Sequence, residues 1–144
     1  MELIRRAPEG WVRELGLVVE EASAGRVVGI LEISSRHWQG YGIVHGGVYS
    51  SVVETLCSIG AHLYSSPEGR AVAGLENHTS FIRSIREGRL TAVAVPLSQG
   101  RRSQVWQCDI SAEDGKLVAT GRVRLHVFDP GDLIAGEKPR FVRG

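Results

Sequence analysis

Apolar residues recur along this chain with two periods, and the change from one to the other divides it. Val48, Val52, Leu56, Ile59 and Leu63 follow one another at steps of 4, 4, 3 and 4, one face of a 3.6-residue helix. The spacing predicts a helix from Gly46 to Tyr64, about 28 Å long, ended by the loop signal Ser65-Ser66-Pro67-Glu68-Gly69. Ahead of it, Leu17–Glu21 and Arg26–Ile33 read as strands joined by an Ala24-Gly25 turn, after a short helix and entry loop within residues 1–15. Residues 35–44 read as a loop carrying Trp38, Gln39 and Tyr41. After the helix the period drops to two. Strands are predicted at Ala71–Ile82, Leu90–Leu97, Ser103–Ser111 and Leu117–Val127, with an Asp114-Gly115 hairpin before the last. In that strand Leu117, Ala119, Gly121, Val123, Leu125 and Val127 face one way, opposite Val118, Thr120, Arg122, Arg124 and His126. The expectation is an α+β domain: two strands, one long helix, then four strands in a meander, the antiparallel sheet wrapped on the helix. No βαβ alternation supports a parallel sheet.

Composition narrows this further. The 144 residues suit one domain over 1–128 with a polar tail, 129–144. Hydrophobic residues at 42% and charged residues at 23% exclude wholesale disorder. A net charge of +1 gives no bulk attraction for nucleic acid. Cys57 and Cys108 are too few for a secreted disulfide scaffold, and Met1-Glu-Leu-Ile-Arg-Arg lacks the apolar core of a signal peptide. A cytoplasmic protein is expected. The stretch 44–64 carries Glu54, His45 and His62, a mix unlike a membrane span.

Glu54 is the most informative residue. It lies about 200° round the helix from Val52 at about 100° per residue, on a face with Ser50, Ser51, Ser58 and Ala61 and no other charge. Small uncharged neighbours suggest close approach by another backbone or subunit. A carboxylate in such a partly dry interface is a candidate base or nucleophile; a solvated helix glutamate is the competing reading. His45-Gly46-Gly47 opens the helix, where free N–H groups and the dipole favour an anion and form a candidate oxyanion hole; a hinge with a structural histidine competes. His45 and Glu54 are nine residues apart, roughly 13 Å along the axis, so a symmetric dimer would be needed to pair them. Arg83, Arg86, Arg89, Arg101 and Arg102 sit at turns or strand ends with only Glu87 to oppose them, either converging on a phosphate-rich ligand or solvated. There is no G-x-S-x-G, Walker A, dinucleotide or H-E-x-x-H motif and no C-x-x-C, so no metal is expected. Cys57 reads as a buried thiol.

The run Gln39-Gly-Tyr-Gly-Ile-Val-His45-Gly-Gly-Val-Tyr-Ser-Ser-Val-Val-Glu54 resembles the active-site segment of hotdog-fold acyl-CoA thioesterases. The Arthrobacter-type 4-hydroxybenzoyl-CoA group, with its 1,4-dihydroxy-2-naphthoyl-CoA hydrolases, is the most similar. Val72-Ala-Gly-Leu-Glu, Phe81-Ile-Arg-Ser-Ile-Arg-Glu-Gly and Gly100-Arg-Arg-Ser-Gln-Val-Trp-Gln extend the likeness over residues 15–127. The resemblance implies a hotdog fold, a homodimer pairing into a homotetramer, hydrolysis of acyl- or aryl-CoA, and no cofactor, nucleic-acid or membrane partner. It implies Glu54 as base or nucleophile, Gly46 N–H as the donor to the thioester carbonyl, His45 and Gln39 as its support, and Ser58 beside the acyl group. Gly47, Gly74, Phe81, Arg83, Ser84, Ser98, Gly100, Arg101, Arg102 and Ser103 would contact substrate, the arginines its phosphates. Phe81 stands where the naphthoyl-CoA hydrolases have a histidine, with His78 nearby. A hotdog dehydratase or hydratase and a non-catalytic acyl-CoA binder are the alternatives.

Overall fold

The structure is a computed structural model describing residues 9–140. The expectations for residues 1–8 and 141–144 lie outside the described residues. A short helix, α1 (Trp11–Leu15), precedes strands β1 (Val18–Ala22) and β2 (Val27–Ile33). A single 3₁₀ turn (Ser35–His37) and a loop lead to the long helix α2 (Gly46–Ser65). Strands β3 (Val72–Phe81), β4 (Gly88–Gln99), β5 (Ser103–Ser111) and β6 (Leu117–Val127) complete one six-stranded antiparallel sheet. The α+β hotdog arrangement expected above is present, one long helix held against an antiparallel sheet.

The strand order is β1-β2-β4-β5-β6-β3, which corrects the four-strand meander. Only β4, β5 and β6 meander. After α2 the chain lays β3 on the far edge against β6, and residues 82–87 then cross back to place β4 beside β2. Three strand spacings are about 14 Å, which six residues span without strain. β3 therefore has a protein partner on one side only.

Two local readings also change. Leu117 is 37% exposed while Val118 is fully buried, opposite to simple alternation. The register explains it: Ile110 pairs with Ala119 but Ser111 pairs with Leu117, so a bulge resets the faces at Val118. From Ala119 onward the expected alternation holds. On α2, Val48, Val52, Leu56 and Ile59 enter the core, but so do Tyr49, Val53, Cys57, Gly60 and Ala61. Ala61, expected on the Glu54 face, is buried, and its carbonyl accepts from Gln104 Nε2 at 3.2 Å. Gln104 also donates to Ser65 Oγ (2.8 Å) and accepts from Trp106 Nε1 (2.8 Å). The Trp106 ring lies where a Cβ on Gly60 would be, 2.3 Å away. Burial of ten of its twenty residues fixes α2. The remaining half-buried stripe is Gly47, Ser50, Ser51, Glu54, Thr55, Ser58 and His62.

Candidate active site

The start of α2 is built by a tight loop. Trp38 bridges Val44, the Gln39 N–H donates to the Ile43 carbonyl (2.8 Å), and the Gly42 N–H donates to the Gln39 carbonyl (2.9 Å). Arg86 clamps this loop from outside, its Nη1 donating to the Tyr41 and Gly42 carbonyls at 2.8 and 2.9 Å. Trp38 Nε1 in turn donates to the Arg86 carbonyl (2.7 Å). Gln39 Oε1 accepts from the Tyr41 N–H, which leaves the amide NH₂ as its remaining hydrogen-bonding group. His45 is the helix cap: its Nδ1 accepts from the Gly47 N–H (2.8 Å) and its carbonyl from the Val48 N–H (2.9 Å). Just ahead of these two satisfied donors, the Gly46 N–H has no acceptor among the described residues. Over Gly46 lies the ring of Phe81, 2.3 Å from where a Cβ would sit. Tyr49 packs against Phe81 with ring centroids 5.9 Å apart. Burial pushes the Tyr49 phenol up to about 12, and its hydroxyl has no hydrogen-bond partner.

Two and a quarter turns further on, Glu54 meets β3. A bulge between Gly74 and Glu76 lets Gly74 and Asn77, three residues apart, both face the helix. Asn77 Nδ2 donates to Glu54 Oε2 (3.0 Å) and to the Ser50 carbonyl (3.1 Å). Thr79 Oγ1 donates to Asn77 Oδ1 (2.6 Å). The other Glu54 oxygen lies against the bare Gly74 backbone, where a Cβ would come within 2.2 Å. An open cleft of about 290 Å³ in front of the carboxylate is lined by Trp11, Ser50, Ser51, Glu54, Thr55 and Asn77. Trp11 closes its rim through Nε1 donating to Ser51 Oγ (2.8 Å). Sequence reasoning missed Asn77, Thr79 and Trp11. A larger chamber, about 480 Å³, opens one helical turn beyond, lined by Ser58 and His62 on one side and by Val72, Ile134 and Lys138 on the others.

The expected site residues thus fall into three groups. Gln39, His45, Gly46, Gly47 and Phe81 gather at the helix start. Glu54, Ser58 and Gly74 gather at its middle. Ser98, Gly100, Arg101, Arg102 and Ser103 form the β4–β5 hairpin, where Arg101 and Arg102 edge a cleft of about 460 Å³ with His126, Asp129 and Asp132. The arginines do not converge within one chain. Arg83 pairs with Asp114 at 2.8 Å, at the opposite end of β5 from Arg101 and Arg102. Nine extended residues separate those ends by roughly 30 Å. Arg89 pairs with Glu32 (2.7 Å), and Arg86 is the loop clamp described above. Ser84 is exposed just beyond β3. Both cysteines are buried free thiols: burial pushes Cys57 strongly up and Cys108 to about 12, so neither supplies a thiolate near neutrality.

The sequence pattern of the thioesterase superfamily matches residues 41–119, from the Gln39 loop to the start of β6. The chain belongs to the thioesterase superfamily. Its thioesterase relatives include the 1,4-dihydroxy-2-naphthoyl-CoA hydrolase of Escherichia coli, 34% identical over 82% of this chain and 98% of that one. The crystal structure of AziG from S. sahachiroi superposes with a TM-score of 0.81 at 36% identity, covering 84% of this chain and 98% of that one. A Haemophilus influenzae thioesterase gives 0.76 at 33% identity and 82% coverage of both. This thioesterase is therefore a thioester hydrolase on the hotdog fold.

Proposed function

We propose that the chain hydrolyses acyl- or aryl-CoA thioesters to the free acid and coenzyme A at sites shared between two copies joined along β3. The observation that carries this reading is the placement, against one edge strand, of a held carboxylate and an unsatisfied helix-terminal N–H. Glu54 meets Gly74 and Asn77 near the start of β3, and Gly46 meets Phe81 at its end. Within one chain the two are eight residues apart on α2, about 12 Å. β3 is unpaired on its outer side and exposes Leu75 and Phe81. A two-fold pairing of β3 with its copy would bring Glu54 of one protomer toward Gly46 of its partner.

In that site the Gly46 N–H stabilises the oxyanion that forms as the thioester carbonyl is attacked. The Gln39 amide, whose oxygen is taken by the Tyr41 N–H, supplies a second donor through its NH₂. Glu54 either takes a proton from the attacking water or attacks the carbonyl carbon itself, giving a mixed anhydride that water then opens. In both routes the C–S bond breaks, coenzyme A leaves as a thiolate needing no strong acid, and one water ends up in the carboxylic acid. The acyl group is assigned to the chamber beside Ser58, and the phosphates of coenzyme A to Arg101 and Arg102. The naphthoyl-CoA hydrolase relative favours an aromatic acyl group.

The test is thiol release from benzoyl-, 4-hydroxybenzoyl-, phenylacetyl-, 1,4-dihydroxy-2-naphthoyl- and graded fatty acyl-CoA, with Glu54→Gln alongside. Turnover lost by roughly 10²–10⁴ in the variant is expected. Equal turnover by the variant would remove Glu54 from the chemistry. Tight binding without turnover by either would leave a non-catalytic binder, and hydration or dehydration without thiol release a hydratase.

A further inference from the structure

Asn77 lies outside the motifs quoted above for the resemblance, yet it is the side chain among the described residues that hydrogen-bonds Glu54. We propose that Asn77, set in orientation by Thr79, is a positioning residue that holds the Glu54 carboxylate aimed into the cleft; this rests on the reading of Glu54 as the reacting carboxylate. The hydrogen-bond inventory fixes the arrangement. A primary amide has two N–H donors and one acceptor oxygen. Both donors are used, on Glu54 Oε2 (3.0 Å) and the Ser50 carbonyl (3.1 Å). The flipped amide is disfavoured because it would turn Oδ1 toward two acceptors, the Glu54 carboxylate and the Ser50 carbonyl, whereas in this orientation the Thr79 hydroxyl donates to Oδ1 at 2.6 Å.

The surroundings are shaped for this relay. Thr79 pairs with Gly121 on β6, and a Cβ there would come within 2.4 Å of Thr79 Oγ1. The missing side chain leaves room for the hydroxyl. The β3 bulge brings Asn77 and Gly74 to the same carboxylate, so one oxygen accepts from the amide while the other lies against bare backbone. Hydrogen bonding to the ionised form favours that form, and a second carboxylate at the same distance disfavours it. Around Glu54 stand Trp11, Ser50, Ser51, Thr55 and Asn77 with the buried Cys57 beyond; Trp11 Nε1, Ser51 Oγ and Thr55 Oγ1 donate elsewhere, so among the described residues Asn77 is the side-chain donor that bonds the carboxylate.

The experiment compares wild type, Asn77→Asp, Asn77→Ala, Thr79→Val and Glu54→Gln. It reads kcat and KM against pH on 1,4-dihydroxy-2-naphthoyl-CoA and benzoyl-CoA. It also follows the Glu54 carboxyl carbon by ¹³C NMR of glutamate-labelled protein, assigned with Glu54→Gln. In Asn77→Asp the acid limb of kcat/KM and the NMR midpoint should both move up by more than one pH unit. Asn77→Ala should lower kcat about 10-fold with KM little changed, and Thr79→Val about 3-fold. A residue that merely pins β3 to α2 would change stability and leave the limb and midpoint in place, and that result overturns the relay. The NMR arm reads the relay even where neither thioester turns over. Conversely, unmoved profiles beside an inactive Glu54→Gln refute the relay and leave the catalytic assignment standing.

Discussion

The two ends of the candidate site lie on the same helix and the same strand, and they are furnished in opposite ways. At its middle α2 offers a carboxylate held by polar contacts: an amide on one oxygen, with a hydroxyl behind it. At its start α2 offers a bare N–H under an aromatic ring, with the neighbouring donors satisfied by His45. The first arrangement keeps a carboxylate in place; the second keeps a donor unspent. An attacking group must be held ionised until it reacts, whereas an oxyanion donor serves best when nothing occupies it beforehand. The contrast explains why β3 changes character along its length, from Gly74 and Asn77 to Phe81.

Matched glycine substitutions should break the two ends differently. In Gly74→Ala the new methyl comes within 2.2 Å of Glu54 Oε1, so the flexible carboxylate must leave its place. Loss of turnover by about 10²-fold or more is expected with little change in Tm, because the displaced group is a side-chain tip. No second substitution that keeps Glu54 should repair it. In Gly46→Ala the methyl meets the Phe81 ring at 2.3 Å, and Phe81 is 57% exposed. That variant should lose about 10²-fold, comparable to removing one oxyanion donor, and Phe81→Ala in the same chain should recover part of it. Steady-state kinetics on the single and double variants checks both. Additive losses at Gly46 and Phe81 would show that the ring does not control access to the donor.

This asymmetry also decides what the sequence made legible. The stripe Val48/Val52/Leu56/Ile59 and the lone Glu54 announce themselves because helical periodicity is regular and a single charge stands out against it. His45-Gly46-Gly47 is legible because glycines at a helix start have few other reasons to be there. The far-edge position of β3 was hidden, since the crossing at 82–87 carries no signal that a hairpin would not also carry. Asn77 and Thr79 were hidden as short polar residues on a strand. Their period-two relation to Phe81 was visible, but the bulge that adds Gly74 to the same face was not. The five arginines cluster in sequence and disperse in space because hairpins send neighbouring turns to opposite ends of a sheet. Ala61 and Val118 were misplaced for the same reason: contacts from Gln104 and a bulge outrank local period.

His45 separates support from chemistry at the helix start. His45→Ala removes the cap on the Gly47 N–H and should cost about 1 kcal/mol of stability, read by urea unfolding. His45→Asn supplies a good capping side chain and should restore most of that stability. If activity returns with it, the imidazole serves only to shape the first turn. If stability returns and kcat stays low, its free Nε2–H takes part beside Gly46.

The smallest effect belongs to the pair that keeps Arg83 away from the β4–β5 hairpin. The Arg83 guanidinium, then the Lys116 backbone N–H, holds the Asp114 carboxyl below the usual carboxylate range. A carboxyl depressed in the folded state contributes stability above its unfolded value, near 3.8, and loses it as pH falls through the lower folded value. Asp114→Asn should therefore lower Tm slightly at pH 7, and the difference should shrink as pH falls below about 4 and through the lower folded value. Both partners are solvent-facing, so added salt should shrink it as well. Thermal melts of the two proteins across pH measure it. A difference unchanged down to pH 2 would mean that Asp114 acts through the β5–β6 turn rather than its charge. Thiol release should be the same in both proteins, because Arg83 is spent on the turn.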